Sequence, residues 1–255
     1  MKPLAGRRVL VTRPREQADE LVVGLEALGA EVRVMPTIAI APPEDWSALD
    51  AALERLETYD WATFTSVNTA QAFFGRLRER GKEALPASLR LAAVGDRTAE
   101  AMAAEGHPAH LVAKVATAVG LAAAMRAEED LHGKRVLFPR GDRARETLTV
   151  LLREAGAQVE DPVVYRTLAG MDGASIEALR ELLAKDAPDW IALTSPSTWV
   201  ELLAAIAPEQ VPSKVRLAAI GPSTAKAIRE SGYDVGCEAQ EPGLPGLIEA
   251  IAQAV

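Results

Sequence analysis

One cysteine, Cys237, and three histidines, His107, His110 and His132, are all that this 255-residue chain has of the usual thiol and metal-binding side chains. A lone cysteine can neither close an intrachain disulfide nor build a thiolate metal site, and it reads as a packing residue before a nucleophile. The histidines fall in expected loops without the HxxxH spacing that sets two imidazoles on one helix face, so no metal is expected. No apolar run reaches the roughly eighteen residues of a membrane span, and Met1-Lys2-Pro3-Leu4 leads towards a strand instead of a signal-peptide apolar core. The chain therefore reads as cytoplasmic. Also missing are a GxxxxGK(S/T) loop, the further glycines that would make Gly141-Asp142-Arg143 a dinucleotide fingerprint, and a GxSxG elbow. No histidine lies near the hydroxyl-rich turns in sequence, so no Ser-His-Asp set is evident. The formal charge of −8 argues against non-specific nucleic-acid binding. Asn68 is the sole asparagine and 21 of the 28 basic residues are arginine, a weak sign of heat stability.

What is present is repetition. Asp189-Trp190 opens a short apolar run that ends in Thr194-Ser195-Pro196-Ser197-Thr198, and Val200, Leu202, Leu203 and Ile206 follow at helical spacing. Asp60-Trp61 opens a second such run, ending in Thr65-Ser66-Val67-Asn68-Thr69 before Ala70, Phe73, Phe74 and Leu77. Each reads as strand, tight turn, helix. At such a turn the first helical N–H groups lack intrahelical partners and the helix dipole favours negative charge, so the turn can hold an anion. The simpler alternative is that its Ser or Thr only caps the helix.

Two more pairs share the period. Arg8-Val9-Leu10-Val11-Thr12-Arg13-Pro14 matches Arg135-Val136-Leu137-Phe138-Pro139-Arg140-Gly141, each followed by an amphipathic helix and a further strand. Leu91-Ala92-Ala93-Val94-Gly95 with Thr98-Ala99 matches Leu217-Ala218-Ala219-Ile220-Gly221 with Thr224-Ala225. Val9 and Val136 are 127 residues apart and Trp61 and Trp190 are 129 apart, so the chain is a duplication of βα units with parallel sheets. Amphipathic helices are expected over 46–59 and 175–183, with closing helices over 119–125 and 244–251. By repeat alone the boundary falls near residue 130. The chemistry on offer is hydroxyls, backbone amides at strand ends, tyrosines, and Arg13 and Arg140 at matched positions. This suits a ligand with several carboxylates or phosphates, although either arginine can equally make a surface ion pair of little consequence.

In their order and spacing these motifs, together with Val164-Tyr165-Arg166-Thr167, resemble the uroporphyrinogen-III synthase family from Val9 to about Ile251. The resemblance implies an α/β fold of two duplicated parallel-sheet lobes joined by a two-stranded connector, with the active site in the interdomain cleft. It moves the boundary: residues 1–36 and 168–255 would form one discontinuous lobe and 39–165 the other, with connectors near 36–40 and 164–168. It implies a cofactor-free, metal-free monomeric enzyme that cyclises the linear, eight-carboxylate tetrapyrrole hydroxymethylbilane with inversion of its fourth ring. Tyr165 would be the proton donor, or else a packing residue with its hydroxyl bonded to backbone. Ser66, Ser195, Ser197, Gly221 and Thr224 would bind substrate carboxylates, with Thr12, Arg13 and Thr98 as further members, while Arg140 joins them from the repeat alone. The competing reading is a non-enzymatic two-lobed binding or sensor protein for a polyanionic small molecule. A phosphosugar-binding enzyme is a third.

Overall fold

The computed structural model describes residues 2–82, 84–207, 209–241 and 243–254. In chain order its elements are β1 (Arg8–Val11), α1 (Asp19–Ala27), β2 (Glu31–Val34), β3 (Ile38–Ala41), α2 (Ser47–Leu53), β4 (Trp61–Phe64), α3 (Val67–Glu79), β5 (Arg90–Ala93), α4 (Asp96–Ala104), β6 (Leu111–Val112) and α5 (Ala118–Glu128). They continue with β7 (Arg135–Leu137), β8 (Arg140–Gly141), α6 (Thr147–Glu154), β9 (Gln158–Glu160), β10 (Val163–Ala169), α7 (Gly173–Lys185), β11 (Trp190–Leu193), α8 (Pro196–Ile206), β12 (Arg216–Ala219), α9 (Pro222–Glu230), β13 (Cys237–Glu238) and α10 (Leu244–Gln253).

The chain divides into two compact units, residues 1–40 with 168–255 and residues 41–167. The discontinuous unit carries a five-stranded sheet of order β13-β12-β11-β1-β2, and the continuous unit one of order β6-β5-β4-β7-β9. Every pairing in both is parallel. The two orders are the same once β1 and β2 are matched to β7 and β9, and β11, β12 and β13 to β4, β5 and β6. That match accounts for the near-constant offset in the sequence. The chain passes between the units through β3 and β10, neighbours in a three-stranded sheet of order β3-β10-β8.

The central strands are buried almost throughout, apart from the half-buried Arg8 and Arg135 that open β1 and β7, because helices cover both faces. In the continuous unit Phe64, Phe73 and Phe74 pack on one side with Leu91 and Met102, while Trp61, Leu121, Met125 and Leu148 fill the other. In the discontinuous unit Leu193, Trp199, Leu202 and Ile228 form one core, and Val9, Val11, Leu21, Trp190, Leu247 and Ile251 the other. Alternate residues of one strand thus serve opposite cores, as the two-residue period of a strand requires.

The repeated Asp-Trp belongs to the amino ends of the strands. Asp189 Oδ2 accepts from the Arg8 backbone N–H at 2.8 Å, and Asp60 Oδ2 accepts from that of Arg135 at 2.8 Å, so each carboxylate satisfies the first donor of the adjacent strand. The tryptophan rings are buried, with Arg90 over Trp61 at 4.2 Å and Arg216 over Trp190 at 5.3 Å from the ring centroids.

One helix is shorter than its apolar spacing suggests. The stretch from Trp46 to Tyr59 is α2 as far as Leu53, then a separate 3₁₀ turn over Leu56–Thr58. The Lys82 ammonium donates to the Leu53 carbonyl at 2.9 Å, and Arg55 leaves helical geometry, yet Leu56 is still buried by the turn. Asp189→Ala should lower the unfolding free energy by about 1–2 kcal/mol, because it strands a strand-end N–H, while Asp189→Asn, which keeps an acceptor, should lose less than half of that. Urea unfolding of the two variants measures the difference; equal losses would mean the carboxylate acts by its charge alone.

Candidate active site

In both sheets the chain leaves one central strand towards one edge and its neighbour towards the other. These topological switch points lie between β1 and β11 in one unit and between β4 and β7 in the other. Diverging connections leave a crevice there, outside the carboxyl ends of the strands, where ligands of open α/β sheets bind. The turns singled out by sequence lie at these ends.

In the discontinuous unit, Thr12 and Arg13 follow β1, Ser195 and Ser197 follow β11, and Gly221 and Thr224 follow β12. These are three adjacent strands. Ser195 is the N-cap of α8: its Oγ accepts from the Thr198 N–H at 3.2 Å, and its own N–H donates to Thr198 Oγ1 at 3.3 Å. This reciprocal pair satisfies two donors and sets the entrance to the helix. Ser197 sits one residue before Thr198 in the first turn, partly buried. Gly221 is the N-cap of α9 in an extended conformation, with open space where a Cβ would stand.

Thr12 is fully buried and donates to the Ala192 carbonyl at 3.1 Å, tying β1 to β11 at the switch point. Arg13 donates to Gln17 Oε1 at 3.1 Å. Thr37, which sequence reasoning did not single out, donates from its backbone to the Thr12 carbonyl at 2.9 Å and from its hydroxyl to the Thr198 carbonyl at 2.9 Å. It joins the end of β1 to the first turn of α8.

In the continuous unit Ser66 caps α3 by the same reciprocal arrangement with Thr69, its Oγ accepting at 3.1 Å and its N–H donating at 3.2 Å. Gly95 opens α4, and Thr98 stands where Thr224 stands in α9. All four turns therefore carry a buried threonine at the third helical position: Thr69, Thr98, Thr198 and Thr224, the last exposing only 2% of its surface. The second helical position, occupied by Asn68, Arg97, Ser197 and Ser223, is less buried in every copy. Aligning the four turns in sequence would have revealed this outward position. The first turns of α3, α8 and α9 carry no acidic residue, although the chain has 36 of them. The potential at these turns is thus left to the N–H groups.

Arg140 does not share its partners with the Ser66 turn. Its Nε donates to the Asp161 backbone carbonyl and to Asp161 Oδ2, both at 3.2 Å, and Thr149 donates to the same carboxylate oxygen at 3.2 Å. Tyr165 is different: partly buried on β10, it packs against the core that holds Phe64 and Phe73. Burial raises its phenol above the ordinary tyrosine range. Hydrogen bonding from Ser66 opposes that rise, the nearby Asp142 carboxylate adds to it, and Asn68 opposes it to a smaller extent. Ser66, Asn68 and Asp142 thus lie near enough for their electrostatics to bear on the Tyr165 phenol.

A cavity of about 760 Å³ lies in the discontinuous unit, lined by Arg15, Gln17, Met35, Ile40, Met171 and Ser175 among others. It is bordered by the β1 turn and the start of α7, and none of Thr12, Ser66, Thr98, Ser195, Ser197 and Thr224 lines it. Among the described residues no group of three or more His, Cys, Asp or Glu could hold a metal ion, and no helix is long and apolar enough to cross a membrane.

Each unit is therefore a doubly wound parallel α/β sheet that presents amide- and hydroxyl-lined turns at its switch point, a class of fold suited to anionic small molecules. A family model described as uroporphyrinogen-III synthase HemD matches residues 19–249, and the chain belongs to the uroporphyrinogen-III synthase family. It is 31% identical over 263 residues to a uroporphyrinogen-III synthase of Synechococcus elongatus, covering 99% of this chain and 97% of that one. It is 31% identical over 251 residues to the enzyme of the same name from Chlorobaculum parvum, covering 98% and 99%. A crystal structure of a mutant uroporphyrinogen III synthase from Thermus thermophilus shares the fold, with a TM-score of 0.68, 20% identity and 98% of each chain covered.

The capping geometry has a measurable consequence. Ser195→Ala and Ser66→Ala should each lower stability by about 1 kcal/mol, whereas Ser197→Ala should stay within about 0.5 kcal/mol of the parent. Urea midpoints report this, and an unchanged midpoint for Ser195→Ala would remove the capping role.

Proposed function

We propose that this chain converts hydroxymethylbilane to uroporphyrinogen III with release of water, in the cytoplasm, as a monomer and without a cofactor. The reaction is redox-neutral. A proton delivered to the terminal hydroxyl lets it leave as water and generates an azafulvene cation. The fourth ring then attacks through its substituted carbon to give a spiro intermediate, and fragmentation and re-closure leave that ring inverted. A proton lost on restoring the pyrrole balances the one supplied. The uncatalysed path closes without inversion to isomer I, so the larger share of the work is conformational control of a flexible ligand.

The observation that carries this reading is the Tyr165 phenol, on which Ser66 and Asn68 bear. A phenol raised above its usual pKa of about 10 stays protonated throughout the neutral range and can donate. Asn68 and Ser66 orient it. Carboxylates of the substrate are held by the free N–H groups and hydroxyls at the starts of α3, α8 and α9, through Ser66, Ser195, Ser197 and Gly221. Thr12, Thr98 and Thr224, with buried side chains, support from within the turns that follow β1, β5 and β12. Arg13 adds positive potential beside the β1 turn, while Arg140, bonded to Asp161, fixes the loop after β7.

The test is to incubate parent and Tyr165→Phe proteins with fresh hydroxymethylbilane, oxidise the products and separate type I from type III porphyrin. The parent should give predominantly type III. The variant should lose about tenfold to a hundredfold in kcat, with KM changed by less than about threefold. Type I alone from the folded parent, at the no-protein rate, would favour the binding-protein reading; unchanged kcat in the variant would remove Tyr165 from the mechanism.

A further inference from the structure

β8 consists of two residues, Arg140 and Gly141, and its pairing with β10 is irregular. Val163 is opposite Arg140 and Tyr165 opposite Gly141, so Val164 is an extra residue on β10. Such a bulge turns the following side chain away from the direction regular pairing would give it. Val164 is fully buried, and Tyr165 follows it.

The partner of Tyr165 across this bulge is a glycine, for a steric reason. Gly141 is not among the described residues with positive φ, so its backbone does not demand glycine. A Cβ there would stand 2.5 Å from Tyr165 Cζ and 2.7 Å from its hydroxyl oxygen. The phenol end of the ring rests on bare main chain. The next residue clamps the strand at Tyr165 and just after it: the Asp142 N–H donates to the Tyr165 carbonyl at 3.1 Å, and Asp142 Oδ1 accepts from the Thr167 N–H at 2.9 Å.

We propose that β8 and the residue after it aim Tyr165: Gly141 is a positioning residue that admits the phenol to its place beside Ser66, and Asp142 is the clamp that fixes the bulged strand. The inference rests on the reading of Tyr165 as proton donor only for its effect on turnover. The backbone of Gly141 accepts alanine, so Gly141→Ala should fold, and the displaced part would be the phenol itself. A misplacement of about 1 Å at a reacting group can cost on the order of a hundredfold in rate.

The experiment is a double-mutant cycle of Gly141→Ala and Tyr165→Phe, read by kcat and KM, with spectrophotometric titration of the phenols. Gly141→Ala alone should lower kcat at least tenfold, with KM within about threefold of the parent and an unchanged circular dichroism spectrum. Added to Tyr165→Phe, it should lower kcat no further. The phenol identified by its loss in Tyr165→Phe should titrate lower in Gly141→Ala, closer to an ordinary tyrosine, as it leaves its buried place. Equal losses in both backgrounds, or an unmoved phenol titration, would overturn the positioning role. If Tyr165→Phe retained full kcat, the donor reading would fall, and the titration would still decide whether Gly141 places the ring. Should Gly141→Ala not fold, Asp142→Ala takes its place in the cycle, with the same non-additive loss expected and an additive one contradicting the proposal.

Discussion

Two central strands in each unit, paired in parallel and leaving the sheet in opposite directions, are the constraint on which the rest of the molecule depends. Because β1 and β11, and likewise β4 and β7, are covered on both faces by helices, their residues after the opening Arg8 and Arg135 are committed to the core. Chemistry is confined to where the chain turns. At those turns the first N–H groups of α3 and α8 cannot be satisfied within the helix, and only part of that capacity is taken up by Ser66 and Ser195. The two ends of each strand have divided the work. The amino ends carry the Asp-Trp pairs and their arginines, and the carboxyl ends carry hydroxyls and open amides.

This division explains how an acidic chain can be suited to a polyanionic substrate. The chain carries a net charge of −8, yet the first turns of α3, α8 and α9 have no carboxylate. Attraction is local, short in range and directional. On the proposed reading it would place substrate carboxylates by geometry instead of gathering them by a general field, as suits an enzyme whose product differs from the uncatalysed one only in the orientation of a single ring.

Much of this was legible in the sequence because duplication doubles every signal. The paired strands, the matched Thr-Ser and Gly-x-x-Thr turns and the parallel α/β class all follow from spacing, and family membership agrees with the resemblance carried by those motifs. Less visible was which hydroxyl does what. Spacing marks Thr98 and Thr224 as readily as Ser197, yet the third helical position turns inward and the second does not. Arg13 and Arg140 look equivalent in sequence, but Arg140 is bound to Asp161, beyond α6 in the chain, while Arg13 donates to Gln17. The fit of Gly141 under Tyr165 was hidden for another reason. It joins residues from two strands through a bulge, and an irregular register leaves no period to read. The Asp-Trp pair illustrates the reverse case, a conspicuous motif whose role is to finish the strands at the end remote from the turns.

The central proposal is that the strand-end turns bind carboxylates. Hydrogen exchange at residue resolution, with and without uroporphyrinogen III, tests it most directly. Slowed exchange should concentrate in the first turns of α3, α8 and α9, at residues 66–69, 195–198 and 221–224, while the amino ends of the strands near Asp60 and Asp189 remain unchanged. Protection appearing around the cavity between Arg15 and Ser175 and at none of these turns would contradict it.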